Sequence, residues 1–96
     1  KINILKIYNI PNPFSDYTFF TFWLNKPSEK VTITIFSQSG VIIDVINSNT
    51  TNEFNAVKWD LAKHDFIANG TYFYNIKIIY TDGEEFQKNN KLTILR

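Results

Sequence analysis

Alternation of apolar and polar side chains over several short segments is the feature that most constrains this chain. It is clearest at residues 18–24, at residues 31–35 and from Tyr72 to Tyr80. A helix would scatter these apolar side chains around its cylinder, whereas a strand places them on one face. Of the 96 residues, 27 are Ile, Val or Thr and 16 are aromatic, the types that suit a pleated, half-buried surface. The pattern predicts an all-β fold.

Four further segments read as strands, at residues 2–8, 41–46, 54–59 and 91–95. Seven short strands at this spacing predict a seven-stranded antiparallel immunoglobulin-like β-sandwich. The segment at residues 41–46 lacks clean alternation, which indicates either a bulge or a strand covered on both sides. Asp82-Gly83 predicts a two-residue type I′ hairpin turn, since both residues tolerate a positive φ angle.

Alternation also predicts which side chains point into the core between two packed sheets. The expected core residues are Phe20, Phe22, Leu24, Val31, Ile33, Ile35, Val57, Trp59, Tyr72, Tyr74, Ile76, Leu92 and Ile94. The two irregular connections, at residues 47–53 and 60–69, are where a site would be expected.

Length and composition exclude several classes of function. A chain of 96 residues forms one domain, and because it lacks even an initiator Met we interpret it as a domain excised from a larger protein; the resemblance described below implies that it is the C-terminal domain. One His and no Cys leave too few ligands or nucleophiles for most metal sites and catalytic triads. We expect no enzyme activity, no cofactor and no metal.

The charge pattern and the apolar runs restrict the possible partners. The net charge is +1, with the ten basic residues scattered along the chain, so nucleic acid is not expected to bind. No stretch reaches the roughly 18 apolar residues that a membrane-spanning helix needs.

The connection after Trp59 contains the single imidazole of the chain. Asp60, His64 and Asp65 could form an acid/base pair or a weak cation site. A solvated loop is the favoured interpretation, with the Asp60 carboxylate accepting backbone hydrogen bonds. Asp82, Glu84 and Glu85 are interpreted as a turn, because they lack the spacing of a calcium loop.

Aromatic residues are also expected on the outside of the sandwich. Alternation places Tyr17, Phe19 and Trp23 outward on the second strand, and Phe36 outward on the third. These residues could be buried under the first strand or a neighbouring domain of the same protein, form a docking patch for a partner, or stack sugar rings. Contact with a neighbouring domain is favoured.

An ordered set of motifs resembles the C-terminal immunoglobulin-like domains of type IX secretion substrates. The motifs are Asn12-Pro13-Phe14, Thr18-x-Phe20-x-Phe22-x-Leu24, Val31-x-Ile33-x-Ile35-Phe36, Ser39-Gly40, Trp59-Asp60 and Gly70-x-Tyr72-x-Tyr74. The flagellar-hook capping protein contains a similar sandwich. Within the group, three motifs look most like the C-terminal domain of the gingipain-like cysteine peptidase that is the system's sortase. They are Asn12-Pro13-Phe14-Ser15-Asp16, Asn25-Lys26-Pro27 and the ending Lys91-Leu92-Thr93-Ile94-Leu95. Leu61 stands where the family usually has Gly, which affects the loop and not the sandwich.

The resemblance implies a role in sorting and docking by protein-protein contact. It makes the last strand functional as a sorting segment, composed of Lys91, Leu92, Thr93, Ile94 and Leu95. The implied partners are an upstream domain of the same protein and the outer-membrane secretion machinery, with the domain itself a monomer. The implied location is the bacterial surface or the extracellular space. A carbohydrate-binding module and an inert structural spacer are the alternatives.

Overall fold

The computed structural model describes residues 6–48, 53–64 and 66–96, which fold into strands joined by short loops. The strands are β1 (Ile7–Ile10), β2 (Tyr17–Trp23), β3 (Ser28–Phe36), β4 (Ile42–Ser48), β5 (Phe54–Asp60), β6 (Gly70–Tyr80) and β7 (Glu85–Ile94). One turn of 3₁₀ helix, Leu61–Lys63, follows β5. The predicted all-β, seven-stranded fold is confirmed.

The strands form two antiparallel sheets that pack face to face. Sheet A has the order β1-β2-β5, and sheet B has the order β4-β3-β6-β7. The chain therefore crosses between the sheets after β2, after β4 and after β5. This arrangement is an immunoglobulin-like sandwich, in which each sheet turns one face to the core and the other to the outside.

The core follows the predicted alternation closely. All the expected core residues are buried except Val57 and Tyr72, which are half-buried and pack against the core. The buried set also includes six side chains that were not on the expected list: Ile7, Phe14, Leu61, Ile67, Ile78 and Tyr80. Three of them, Phe14, Leu61 and Ile67, lie outside the strands, where a period of two carries no information.

Two strands differ most from their predicted bounds, while the ends of the others shift by at most three residues. Residues 2–5 of the predicted first strand lie outside the described residues, and β1 continues to Ile10 because it pairs with β2. The last strand begins at Glu85 instead of Lys91, since β7 pairs with β6 without interruption from Ile79↔Glu85 to Gly70↔Ile94. The added residues are mostly polar and exposed, so their composition gave no strand signal.

The β3–β4 and β6–β7 hairpins each have a three-residue loop. The predicted two-residue type I′ turn at Asp82-Gly83 is therefore wrong. At the β6–β7 hairpin, Tyr80 O accepts from Gly83 N at 2.9 Å, and Tyr80 N donates to Glu84 O at 2.8 Å. Gly83 has a φ of +91°, whereas Asp82 has a negative φ, so only one of the two residues is left-handed. A type I turn followed by a left-handed glycine is the usual geometry for such a loop.

The irregular segment at residues 41–46 contains a bulge. Ile35 pairs with Asp44 and Phe36 pairs with Ile42, so Ile43 is an extra residue on β4. Ile43 packs against the core, and the Asp44 carboxylate bonds to Trp59 of the other sheet. The bulge thus turns two consecutive side chains towards the inside of the sandwich, which explains the broken alternation.

Candidate functional site

The predicted sorting segment is the closing strand of sheet B, and its side chains alternate between core and solvent. Leu92 and Ile94 are fully buried. Lys91 is exposed, Thr93 is half-buried and Leu95 is 62% exposed. A partner that binds the folded domain can therefore contact Lys91, Thr93 and Leu95, but not Leu92 or Ile94.

A short stretch before β2, residues 12–14, is bonded along the free edge of this segment, and we call it the strap. Asn12 Oδ1 accepts a hydrogen bond from Thr93 N at 3.0 Å. Phe14 N donates to Thr93 O at 3.1 Å, and Phe14 O accepts from Leu95 N at 2.9 Å. The Phe14 ring is buried and meets Trp59 edge-on at 6.1 Å. The strap joins the chain of sheet A to the last strand of sheet B.

Arg96, which follows the sorting segment, also forms hydrogen bonds that hold the end of the segment in place. Arg96 N donates to Asn69 Oδ1 at 2.9 Å. Its guanidinium donates to the carbonyl oxygens of Ile67 and His64. The residue after the sorting segment is therefore bonded to the loop between β5 and β6, and the segment is held on both sides.

Tyr17, Phe19 and Trp23 lie together on the outer face of sheet A, as predicted. Tyr17 and Phe19 meet edge-on, with ring centroids 5.6 Å apart, and Trp23 packs against Phe54 at 4.8 Å. Trp23 also contacts Tyr8 at 6.0 Å. We call this surface, formed by Tyr8, Tyr17, Phe19, Trp23 and Phe54, the aromatic face.

Two lysines lie over rings of the aromatic face. Lys58 Nζ is 4.9 Å from the centroid of Tyr17, and Lys6 Nζ is 5.2 Å from that of Tyr8. The rings do not share a plane: Tyr17 and Phe19 are inclined by 79°, and Trp23 and Phe54 by 52°. Tilted rings offer a sugar a poorer stacking platform than coplanar ones, so this geometry favours a protein surface over a carbohydrate.

Phe36 lies on the opposite side of the molecule, because β3 belongs to sheet B. It pairs with Phe73 of β6, and Phe73 pairs in turn with Lys91 of β7. The two phenylalanine rings stack with centroids 6.1 Å apart and an angle of 27°. The four predicted docking residues therefore divide between two faces, and one of them shares a face with the sorting segment.

The loop after Trp59 places His64 next to a carboxylate that the sequence did not indicate. His64 Nε2 lies 3.0 Å from Asp44 Oδ2, and Trp59 Nε1 donates to the same oxygen at 2.9 Å. Asp60 Oδ1 instead accepts from Ala62 N at 2.9 Å, which confirms its predicted role in shaping the loop. Asp65 lies outside the described residues. The arrangement ties β4 to β5 and leaves the imidazole bonded to a structural carboxylate.

The acidic residues of the β6–β7 hairpin are neutralised by lysines. Lys26 Nζ lies 2.6 Å from Asp82 Oδ2 and also contacts the carboxylate of Glu84. Hydrogen bonds to these carboxylates raise the pKa of Lys26, and the bond from Lys26 lowers the pKa of Asp82. Glu85 pairs with Lys77 at 3.4 Å. These residues form a turn, as expected, although its loop has three residues, and their described carboxylates are paired with lysines.

Within residues 6–48, 53–64 and 66–96, no group of three or more His, Cys, Asp or Glu side chains converges on a point where a metal could bind. Over the same residues, no helix is long and apolar enough to cross a membrane.

A family model of a secretion system C-terminal sorting domain matches residues 6–94 of the chain. The chain belongs to this family. The family is that of type IX secretion, and the match covers every strand of the sandwich. A search of curated proteins gives no match.

Two solved structures share the fold. Dimeric latent PorU from Porphyromonas gingivalis superposes with a TM-score of 0.77 and 21% identity, over 99% of this chain and 9% of PorU. CopC from Methylosinus trichosporium OB3b superposes with a TM-score of 0.62 and 11% identity, over 93% of each chain. This chain thus spans about a tenth of the length of PorU, and the similarity to both structures concerns the fold.

The predicted family, sorting role and destination are confirmed. Membership of this family implies a sorting or docking role in type IX secretion and export to the outer-membrane surface or the extracellular space. Interaction with the secretion machinery follows from that role, and sorting domains of this kind are typically non-catalytic.

Three residues of these surfaces escaped the sequence-based interpretation: Asn12, Phe73 and Asp44. Asn12 belonged to a recognised motif, but its bond to Thr93 joins positions 81 residues apart. Phe73 lies between Phe36 and Lys91 because of the strand order, which local alternation does not reveal. Asp44 is the single charged residue of β4, and its isolation among the apolar residues of segment 41–46 is the one available signal.

Proposed function

We propose that this domain acts in sorting as a folded unit, by protein-protein contact, and that it performs no catalysis itself. The supporting observation is that the sorting segment is bonded to β6 on one edge and to the strap on the other. A partner that required the segment as a loose tail would first have to break those bonds and expose Leu92 and Ile94. At about 1.5–3 kcal/mol for each large apolar side chain, that exposure is costly.

We further propose that the aromatic face packs against an upstream domain of the same protein. The chain enters sheet A through β1, and Lys6, just before it, already lies over Tyr8 of this face. Lys6 therefore places the described start of the chain beside the aromatic face. Tyr17 and Phe54 remain 42% and 49% exposed, which leaves apolar area for such a contact. The domain on its own would be a monomer, which light scattering of the purified domain would test.

Fusion of residues 1–96 behind an exported reporter, in a bacterium with type IX secretion, tests the sorting proposal. The expected result is reporter at the cell surface or in the medium. Reporter that accumulates in the periplasm, attached to a folded domain, would contradict it. A second fusion without residues 91–96 is the control, and it should remain periplasmic.

The same fusion distinguishes a cargo-type domain from a sortase-type domain. In a cargo, the reporter should be released or anchored on the surface after transport. In a sortase-type protein, the intact fusion should stay bound to outer-membrane components, as fractionation would show. Catalysis by the domain itself would appear as hydrolysis that is lost in His64→Ala, and we expect no hydrolysis.

A carbohydrate-binding role for the aromatic face is the second candidate. The half-exposed Tyr17 and Trp23 rings are the observation in its favour. Titration of the domain with glycans, followed by tryptophan fluorescence, should give no saturable change. Saturation that is lost in Trp23→Ala would establish this alternative.

A further inference from the structure

We propose that the secretion machinery reads the sorting segment at the cross-strand row Phe36, Phe73 and Lys91, which we call the Lys91 row. The occupant we infer is a protein segment that presents a carboxylate beside an apolar side chain. This inference rests on the proposed sorting function and names the surface and the partner chemistry.

The Lys91 row spans three strands, and a shallow, open depression adjoins its Phe73 and Lys91 members. Its members pair in register across β3, β6 and β7, so they lie side by side on the outer face of sheet B. A shallow cavity of about 280 Å³ is lined by Phe73, Asn89, Asn90 and Lys91. The stacked phenylalanine rings supply an apolar wall, and the lysine supplies a charge at its edge.

Lys91 has a charge that no described residue neutralises. The other lysine on this side of β6, Lys77, pairs with Glu85, but Lys91 has no carboxylate within 4.0 Å among the described residues. The neighbouring cross-strand pairs on this face, Asn75↔Asn89 and Thr71↔Thr93, are uncharged. A carboxylate on the partner would meet this ammonium without competition, and the adjoining rings would exclude water from the pair.

The rest of the sorting segment is less available for recognition. Leu92 and Ile94 are in the core, and both backbone polar groups of Thr93 are bonded to the strap. Lys91 is the charged, exposed residue of the segment and lies next to an aromatic pair. Leu95 is also exposed but carries no charge, so Lys91 is the side chain of the segment that a partner can recognise by its charge in the folded state.

A protein fits this site better than a phosphate-rich surface. Phosphate surfaces are met by several clustered basic residues. The Lys91 row instead combines one lysine with two stacked rings, which suits a single carboxylate on an apolar segment.

Reporter secretion by charge-reversal variants tests the inference. Lys91→Glu should lower secretion by roughly tenfold or more, as expected when a charge at the centre of an interface is reversed. Lys91→Arg should stay within about twofold of the wild type, since the charge remains. Lys88→Glu is the matched control, because Lys88 is exposed on the same strand but lies three residues away, on the other side of the strand.

The outcomes separate the two proposals. If Lys91→Glu and Lys88→Glu are secreted equally well, the Lys91 row is wrong while the sorting function stands. If the wild-type fusion itself is not secreted, the sorting function is wrong and the inference fails with it. The unfolding midpoint of each purified variant should stay within about 3 °C of the wild type, so that loss of folding is separated from loss of recognition.

The chemistry of the partner is tested with detergent-solubilised outer-membrane proteins. Wild-type domain should retain a protein from this fraction that Lys91→Glu does not retain, and amidation of the fraction's carboxylates should abolish retention. If amidation left retention unchanged, the inference that the partner presents a carboxylate would be wrong. Binding to protein-free anionic lipid vesicles that depends on Lys91 would overturn the protein partner in favour of a membrane surface.

Discussion

The outer faces of the two sheets both carry aromatic side chains, but they use them differently. On sheet A, Trp23 packs against Phe54 and Tyr8, and the lysines lie over tyrosine rings, so the charged groups are engaged within the face. On sheet B, the stacked Phe36 and Phe73 rings stand beside Lys91, whose charge no described residue balances. The aromatic side chains of sheet A therefore pack mainly against one another and against lysines of the same face. On sheet B, the ammonium group of Lys91 is available to pair with a charge on a partner.

The outer faces of both sheets are supported by the same core. If this core unfolds cooperatively, alkaline pH should give the largest loss of unfolding free energy. Burial raises the pKa of Tyr74, between the sheets, to about 12. Because the folded pKa lies above the unfolded value of about 10, the stabilisation is complete below pH 10. It is lost as pH rises towards 12, by about 3 kcal/mol in total. Urea unfolding between pH 8 and pH 12 measures this loss.

Tyr74→Phe is the control for the alkaline loss, since it removes the ionising group and keeps the ring. The loss should become smaller, with the remainder from Tyr80, whose pKa burial also raises. An unchanged pH dependence in Tyr74→Phe would contradict the assignment. Different alkaline midpoints from fluorescence and circular dichroism would contradict the single core.

Truncation of one aromatic side chain on each face tests directly whether the two faces differ in internal packing. Trp23→Ala should lower the free energy of unfolding by about 2–3 kcal/mol, because it removes contacts to two rings. Phe36→Ala loses one ring contact and should cost about 1 kcal/mol. Denaturant titrations give both values. Equal costs would show that the faces do not differ in internal packing.

Loss of the strap's side-chain bond tests the link between the sheets. Asn12→Ala leaves Thr93 N without its side-chain acceptor and, because this bond is exposed, should cost about 0.5–1.5 kcal/mol in unfolding free energy. Asn47→Ala is the matched control: it removes an exposed bond from Thr32 Oγ1 of 3.1 Å and should cost under about 0.5 kcal/mol. If the two variants were equally stable, the strap would contribute nothing.

The smallest expected effect concerns the lysines of the aromatic face. Lys58→Met keeps most of the aliphatic stem but removes the cation over Tyr17, and it should cost about 0.5 kcal/mol. Lys88→Met, with no ring below the ammonium among the described contacts, should cost nothing measurable. Thermal unfolding resolves the difference, and equal midpoints would remove the cation–π contribution.

The sandwich and most of its core were predictable, since local alternation carries that information. Phe20, Ile33 and Ile76 are each the centre of a segment with period two, and each is fully buried. Phe14 and Ile67 were missed because loop residues become buried through contacts with distant parts of the chain. The polar residues that begin β7 were missed because pairing with β6, and not composition, makes them a strand.

The sites were predictable as residue types but not as surfaces. Alternation correctly put Tyr17 and Phe36 outside, yet which sheet contains each strand depends on long-range pairing. The same holds for the strap, where a motif near the start of the chain meets the last strand. The turn geometry at Asp82 was not predictable, because the sequence Asp-Gly fits two kinds of loop. It suits a two-residue type I′ loop and equally a three-residue loop that ends in a left-handed glycine.

Amide hydrogen exchange at residues 92–95 tests most directly whether the sorting segment is part of the folded sandwich. The amides of Thr93 and Leu95, bonded to Asn12 and Phe14, should be protected well above the level of an unstructured peptide, as should the β3 and β6 amides. Asn12→Ala should selectively weaken protection at Thr93. Exchange of residues 92–95 at the rate of an unstructured peptide, while β3 and β6 stay protected, would contradict recognition of a closed strand.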